Sequence, residues 1–296
     1  MAGPKLSVCI PVYNGQEFIK ETIDSVLSQS FKDFEIVIVD NQSTDNTISI
    51  VKSYSDPRIK LFINDTNIGM IPNWNKAMEH ATGKYIKILP ADDFIYPGCL
   101  EKQVKILDAD TNEKTAMVGG RRNIIDESGK ILFNRGFSKS ECEVTGFAAI
   151  NKNVRSGGNI IGEGGAVMFR KSILQKTGNF NSDIFYVLDL DLWYKILIHG
   201  NYHALPDIVS SFRVSKSSAS VNVVKKQRED LSNFINKIYL NKEYQLSWLS
   251  RKIGLFKALA LTQAKKILYK YILKYKFNEQ KNIHTGSYLQ FGQFHE

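Results

Sequence analysis

The chain has 296 residues, 43% hydrophobic and 23% charged, with a formal net charge of +9. That supply of apolar residues supports a sizeable core and excludes a disordered, collagen-like or disulfide-framework protein. The charge is unevenly placed: Met1 to Ser220 carries 25 basic and 25 acidic residues, whereas Val221 to Glu296 carries 14 and 5, so a neutral body and a basic tail are expected to do different jobs.

Leu6 to Val12 is a short run rich in β-formers, and Ile19, Ile23, Val26 and Leu27 then repeat at helical spacing. Glu35 to Val39 reads as a second, buried strand. It ends at Asp40, and Ser43, Thr44 and Asp45 offer N-caps for the next helix. Ile59 to Ile63 is a third strand, Pro72 suits the first turn of a helix running to His80, and Tyr85 to Leu89 is a fourth strand stopping at Pro90-Ala91-Asp92-Asp93. This alternation predicts an α/β fold, a Rossmann-like, mostly parallel sheet with helices on both faces. Ligands on such sheets bind at the carboxyl ends of strands, where Tyr13-Asn14, Asp40-Asn41 and Asp92-Asp93 fall.

Ala116 to Gly120 reads as a strand, and Asn123 to Phe133 as a hairpin around Asp126-Glu127-Ser128-Gly129. A glycine-rich loop, Gly157 to Gly165, leads into a strand at Ala166 to Phe169. Ser172 to Thr177 is a short helix stopped by Gly178, and Leu190 to His199 is helical before Gly200. Beyond Gln227 the pattern is helical.

No GxxxxGK[ST] segment is present and no GxGxxG follows the first strand, which argues against a P-loop enzyme and a dinucleotide-dependent oxidoreductase. Asp92-Asp93 offers hard oxygen ligands for Mg²⁺ or Mn²⁺; by itself the pair reads first as a solvated turn with capping aspartates, and its register with Asp40 and Tyr13 at neighbouring strand ends favours the ligand reading.

Ser7-Val8-Cys9-Ile10-Pro11-Val12-Tyr13-Asn14 and Ile23 to Gln29 resemble the opening of family 2 glycosyltransferases. Val39-Asp40-Asn41-Gln42-Ser43-Thr44-Asp45-Asn46-Thr47 is similar to that family's VDDGSTDxT segment. Asn67-Ile68-Gly69, Asn75, Ala81 to Ile86 and Ala91-Asp92-Asp93 continue the pattern in order, and the resemblance thins out toward Ser220. It implies a nucleotide-sugar-dependent transferase of the A-type glycosyltransferase fold. Pro11, Tyr13 and Asn41 match positions that cradle the nucleotide base. Asp40 and Asn75 join the donor-binding set, and Asp93 matches the metal-ligating carboxylate, with Asp92 beside it near the ribose or metal shell. A Mn²⁺ or Mg²⁺ cofactor is implied, held by one or two carboxylates and the donor phosphates.

In Leu188-Asp189-Leu190-Asp191-Leu192-Trp193, alignment of Leu192-Trp193 with the family's Leu-Trp-like pair puts Asp189 on the catalytic base. The alternatives are Asp191 as base, or both as first-turn residues favoured by the helix dipole. Several positions depart from the family pattern. Asn41 stands for an Asp, Pro90 for the first Asp of a strict DxD, Trp74 for an Arg, and Ser215 for a metal-ligating His. Arg213 can face the diphosphate or sit in a surface ion pair. In the glycine-rich loop, Glu163 and Gly164 fall where the family places its acceptor; a flexible loop is the alternative. Trp193 reads as core, and none of the five histidines is assigned a role.

Between Arg251 and Lys276 there are eight basic residues and no acidic one, interleaved with leucines, isoleucines and aromatics. An anionic membrane surface is one partner for such a segment. The alternatives are a helical hairpin packed on the body with a solvated lysine face, or nucleic acid, for which no motif accompanies the charge. Projected as a helix, the basic positions do not gather on one face.

Three sparse cysteines, Cys9, Cys99 and Cys142, point to a reducing compartment. No apolar run of roughly 20 residues is present, and Met1 to Pro4 leads directly into a strand rather than a signal peptide. The expected protein is cytoplasmic, peripheral on the inner face of the cell membrane, with a catalytic domain over residues 1–220 and a basic helical extension over 221–296. Its expected reaction is inverting, metal-dependent hexosyl or deoxyhexosyl transfer from a UDP-sugar, or a dTDP-sugar, to a saccharide acceptor. That acceptor is expected to be a polyprenyl-diphosphate-linked intermediate of polysaccharide biosynthesis of O-antigen or capsule type. A non-catalytic nucleotide-sugar or glycan-binding protein on the same fold is the competing reading.

Overall fold

The computed structural model describes residues 3–183, 187–214 and 224–271. The first half alternates as the sequence predicts: β1 (Leu6–Val12), α1 (Ile19–Leu27), β2 (Phe34–Asp40), α2 (Thr47–Lys52), β3 (Ile59–Ile63), α3 (Met70–His80) and β4 (Tyr85–Ile88). Next come α4 (Cys99–Ala109), β5 (Thr115–Ile125), β6 (Ile131–Arg135), β7 (Cys142–Val144), α5 (Gly146–Ser156) and β8 (Val167–Arg170). The described chain ends with α6 (Leu174–Thr177), α7 (Leu188–Leu197), β9 (Asn201–Arg213), α8 (Val224–Leu240) and α9 (Trp248–Tyr271). Among the described residues the strands form one sheet in the order β3-β2-β1-β4-β8-β5-β9-β7, with β6 paired to β5. The β3-β2-β1-β4 half is parallel, β8 is inserted antiparallel, and β5 and β9 are again parallel to each other.

Every residue of β1 and β2 is buried, as parallel strands covered on both faces require. Their side chains alternate between two cores. Val8, Ile10, Ile36 and Ile38 pack with α1, α2 and α4 through Ile23, Val51 and Val104, whereas Cys9, Val37 and Val39 pack with α3 through Ala77 and Met78. The second core extends through α5 and α7 to Phe234, Ile235 and Ile238 of α8. The described part of the basic extension therefore packs on the sheet-bearing body; the 215–223 connection lies outside the described residues.

The hairpin around Asp126 forms as expected, with Ile125 opposite Ile131. Elsewhere α4, β7 and α5 lie where no element is predicted, and β9, thirteen residues long, is the largest omission. Pro206-Asp207 inside β9 reads as a break, and its register with β5 does shift around Gly119 and Arg121. The cap of α2 also differs: its N-cap position is Asn46, Asp45 accepts the Thr47 N–H (2.9 Å), and Ser43 binds Asp40 instead.

A buried carboxylate holds the parallel half together. Glu35 of β2 accepts from the Ser7 hydroxyl (2.6 Å) and from the N–H and hydroxyl of Thr82 (2.6 and 2.8 Å), and pairs with Lys60. Burial pushes its proton affinity up, but the bonds from Lys60, Ser7 and Thr82 outweigh this and bring it down to about 2 from 4.5. Because the folded value lies below the unfolded one, Glu35 contributes stability above about pH 4.5 that is lost as pH falls toward about 2. Glu35→Gln should therefore lower the urea midpoint at neutral pH, and the gap to wild type should close on acidification. A gap independent of pH would show that the charge at Glu35 is not what stabilises this junction.

Candidate active site

The Asp92-Asp93 turn follows β4 and is braced from two sides. Its backbone closes through the Asp93 N–H to the Pro90 carbonyl (3.1 Å). The Thr22 hydroxyl of α1, fully buried, lies 2.7 Å from the Asp93 carbonyl. From β9, the Arg213 N–H donates to Asp93 Oδ1 (2.7 Å) and its Nε donates to the Asp92 carbonyl (2.8 Å). The rest of the guanidinium is taken by the Glu127 carbonyl (3.1 Å) and the Glu21 carboxylate, over the Phe18 ring. Arg213 is 3% exposed. The expectation that it faces a diphosphate is thus corrected: its guanidinium is used up in holding the turn. The alternative of a surface ion pair is only half right, since the Arg213 end is buried.

Asp93 is itself buried. Burial, and then the charge of Asp92, push its proton affinity well above the usual carboxylate range, with Arg213 opposing. Burial raises Asp92 as well. A buried carboxyl group with a partly buried one beside it, the charge of Asp92 opposing ionisation of Asp93, is a pair of hard-oxygen groups that a divalent cation would relieve. Among the described residues no group of three or more His, Cys, Asp or Glu side chains is close enough to hold a metal. The fit is therefore to an Mg²⁺-type ion that takes one or two carboxylates and completes its shell from phosphates and water. Ser215, expected in place of a metal-ligating His, lies outside the described residues.

The residues expected on the nucleotide side lie at the ends of β1 and β2. Pro11 is buried in β1 opposite Val39, and Tyr13 stands exposed just beyond the strand. Asp40 is fully buried with Oδ1 and Oδ2 bonded to the N–H and hydroxyl of Ser43 (2.7 and 2.6 Å). The Asn41 carboxamide donates to Asn67 Oδ1 (2.7 Å) and the Gly69 carbonyl (3.2 Å), and accepts from Asn64 Nδ2 and the Ile68 N–H (both 3.0 Å). Its expected role as a direct base acceptor meets a group already saturated by the protein; here it shapes the 64–69 loop. Asn75 is displaced further from expectation. Its amide clamps Phe180 by both the N–H and the carbonyl (3.0 Å each), fixing the segment that precedes α7 rather than facing a donor.

Asp189 sits in the first turn of α7. Its Oδ1 is buried with no hydrogen-bond partner among the described residues. Burial, then the negative charge of Glu163, push its proton affinity up to about 7, while Arg122 opposes. Asp191, the alternative base, is instead buried in an ion pair with Lys195 one turn on. Glu163 is held by Arg122 of β5 (Nη2 to Oε1, 3.0 Å), which also donates to the Asn159 carbonyl (2.8 Å). Gly164, expected at an acceptor, is buried, and a Cβ there would stand 2.6 Å from the Ile88 carbonyl; the missing side chain serves protein packing. Trp193 is core, as expected, with Nε1 bonded to the Gly162 carbonyl (2.9 Å).

Thr22 and Arg122, which contact Asp93 and Glu163, are positions the sequence reading does not single out. Thr22 carries no signal beyond its place in a helix. Arg122 lies in a strand after Gly119-Gly120, whose bare Cα atoms admit Tyr202 and Val209, and nothing in that spacing announces an ion pair with Glu163.

The model of the family described as Glycosyl transferase family 2 matches residues 7–178, more than half of the chain. An uncharacterised glycosyltransferase of Methanocaldococcus jannaschii is 28% identical, over 90% of this chain and 93% of its own length. One from Rickettsia prowazekii is 28% identical over 79% and 73%. Among solved structures, Staphylococcus aureus TarS 1–349 in complex with UDP-GlcNAc superposes with a TM-score of 0.67 at 21% identity, over 93% of this chain and 77% of that one. The mannosyltransferase PcManGT of Pyrobaculum calidifontis, in complex with GDP-Man and Mn²⁺, gives 0.61 at 20% identity over 93% and 81%. The α/β architecture with its mostly parallel sheet is thus that of A-type glycosyltransferases.

Proposed function

The chain belongs to glycosyl transferase family 2, and on that premise we propose that it transfers a hexosyl or deoxyhexosyl group, with inversion, from a nucleoside-diphosphate sugar to a saccharide hydroxyl. The observation that supports the proposal is that two carboxyl groups, Asp93 and Asp189, both have their proton affinity raised by burial and by the charge of the same Glu163. A binding module has no use for a partly buried carboxylate tuned near neutrality, whereas a general base does.

In the proposed reaction the acceptor oxygen attacks the anomeric carbon from the face opposite the diphosphate. Its proton passes to Asp189 as the new C–O bond forms, and the bond to the nucleoside diphosphate breaks. A bound Mn²⁺ or Mg²⁺, held by Asp93 with Asp92 beside it, would supply charge neutralisation to the diphosphate. Arg213 and Thr22 keep those carboxylates in place. Pro11, Tyr13 and the Asp40-Asn41 corner frame the nucleotide, and Glu163 lies on the acceptor side.

A UDP-sugar is the favoured donor and a dTDP-sugar the alternative; TarS with UDP-GlcNAc and PcManGT with GDP-Man and Mn²⁺ support a nucleotide sugar and a cation. The acceptor is a polyprenyl-diphosphate-linked saccharide of surface-polysaccharide biosynthesis, met at the cytoplasmic face of the membrane. Residues 1–220 carry the transfer and the basic extension 221–296 positions it; among the described residues no helix is long and apolar enough to cross a membrane. Thermal unfolding in the presence of single nucleotide sugars, with and without Mn²⁺, tests the proposal. A ligand at a hundred times its dissociation constant adds about 2.7 kcal/mol to apparent stability, so one donor should raise the midpoint, and more so with the cation. No shift from any nucleotide sugar or nucleoside diphosphate would sink it.

A further inference from the structure

Helix α9 is amphipathic in the reverse of the usual sense. The side it turns to α5 is small: Ser250, Gly254 and Ala258, spaced one turn apart, are all buried. A Cβ on Gly254 would stand 2.5 Å from the Val154 carbonyl, and one on Gly157 would stand 2.6 Å from Lys257 Cβ, so the two backbones nearly touch. Leu255 packs against the core, but four large apolar residues point the other way: Trp248, Leu249, Phe256 and Leu259 are 54, 52, 73 and 45% exposed. At about 100° per residue these four, with Lys252 and Ala260, share roughly one third of the helix circumference. Helices of globular proteins turn such residues inward, so a contiguous apolar face of this kind marks a surface built for contact.

Charge identifies the contact. Lys252 Nζ lies 4.2 Å from the Trp248 ring centroid, which puts a cation on the apolar face itself. No acidic residue occurs between Glu243 and Glu279. A second copy of the chain would bring an equally basic segment against this one, within the roughly 8–10 Å over which charges are felt at physiological salt.

We propose that the Trp248–Leu259 face of α9 lies in the headgroup region of an anionic phospholipid bilayer, with Trp248, Leu249, Phe256 and Leu259 entering the acyl boundary and the lysines meeting lipid phosphates. The surface stands on its own geometry, while its use in delivering a lipid-linked acceptor rests on the glycosyltransferase reading above. The path between them is short: α9 sits against Gly157, where the loop that carries Glu163 begins. The membrane face is thereby tied to the loop that carries Glu163.

Co-flotation of the full chain with vesicles tests this. Vesicles of phosphatidylcholine mixed with phosphatidylglycerol should bind at least about tenfold more protein than phosphatidylcholine alone, since each lysine near an anionic surface contributes about 1 kcal/mol. Phe256→Gln combined with Leu259→Gln should cut binding to the mixed vesicles roughly tenfold or more, with thermal midpoint and nucleotide-sugar shifts unchanged, because both side chains point to solvent. Equal flotation of wild type and variant, or no flotation of either, would overturn the proposal even if donor binding were intact. So would a concentration-dependent dimer that the double substitution dissolves, which would assign the face to a second copy. Loss of donor binding with vesicle binding intact would instead sink the enzymatic reading and leave the surface standing.

Discussion

Asp189→Asn is expected to lower turnover by roughly 10²- to 10⁴-fold, the range of a general base, while leaving the affinity for the nucleotide sugar nearly unchanged. The substitution keeps the shape of the side chain and the helix start, and removes only the ability to take a proton. The wild-type rate should also rise with pH and level off above about 7, because burial and Glu163 hold the Asp189 carboxyl protonated up to that point. In the variant that rise should vanish. Glu163→Gln, which removes the repelling charge, should move the midpoint of the wild-type profile to lower pH. Stability follows the opposite course. A folded value raised from 3.8 to about 7 means that the folded state binds the proton more tightly, so the stability associated with Asp189 falls as pH rises between those values. Initial rates across pH, with donor binding measured separately, decide the assignment. Unchanged turnover in Asp189→Asn, or a pH profile that survives the substitution, would pass the role to another group.

The parallel half of the fold was legible because its signals are local. Buried strands such as Phe34–Asp40 are continuous apolar runs, and each ends at a polar corner that marks the ligand edge. The second half was legible only in pieces, the hairpin, β8 and α7 among them, whereas α4, β7, α5 and β9 were not, because what makes them fold is long-range. β9 crosses a proline and a shifted register, and finds its place through pairing with β5. The same division runs through the site. The family resemblance marks Asp92, Asp93 and Asp189, which sit at element ends. The partners of Arg213, Asn41 and Asn75 could not, since Glu21, Asn64 and Phe180 are distant in sequence or carry no pattern. Side chains that a motif marks as binding residues are used in this structure to hold the site's frame. The glycines divide in the same way: Gly157 opens a stretch that the sequence offers as a flexible loop, yet with Gly254 it lets α5 and α9 approach closely.

Asp93→Asn is expected to separate function from stability. Its carboxyl group is 2% exposed, and burial together with Asp92 makes ionisation costly in the absence of a cation. An asparagine keeps the Oδ1 that accepts from the Arg213 N–H (2.7 Å) and discards the charge. The cation-free variant should therefore unfold at the same temperature as wild type or higher, and its advantage should grow as pH rises. A raised proton affinity in the folded state means stability is lost as the medium becomes more basic, and Asn removes that loss. Function should move the other way. Replacing a residue that merely supports a metal ligand typically costs 10- to 100-fold, so loss of the ligand itself should cost at least roughly 100-fold in turnover. It should also abolish the extra thermal shift that Mn²⁺ adds to the donor. Chelating the cation from wild type should reproduce the binding defect without the gain in stability, since the repelling carboxylates remain. A variant that melts lower than wild type yet retains the Mn²⁺-dependent shift would mean that Asp93 braces the turn, and that the cation is held elsewhere. A higher melting point with the shift gone is what a carboxylate kept for its ligand, at a cost to the fold, requires.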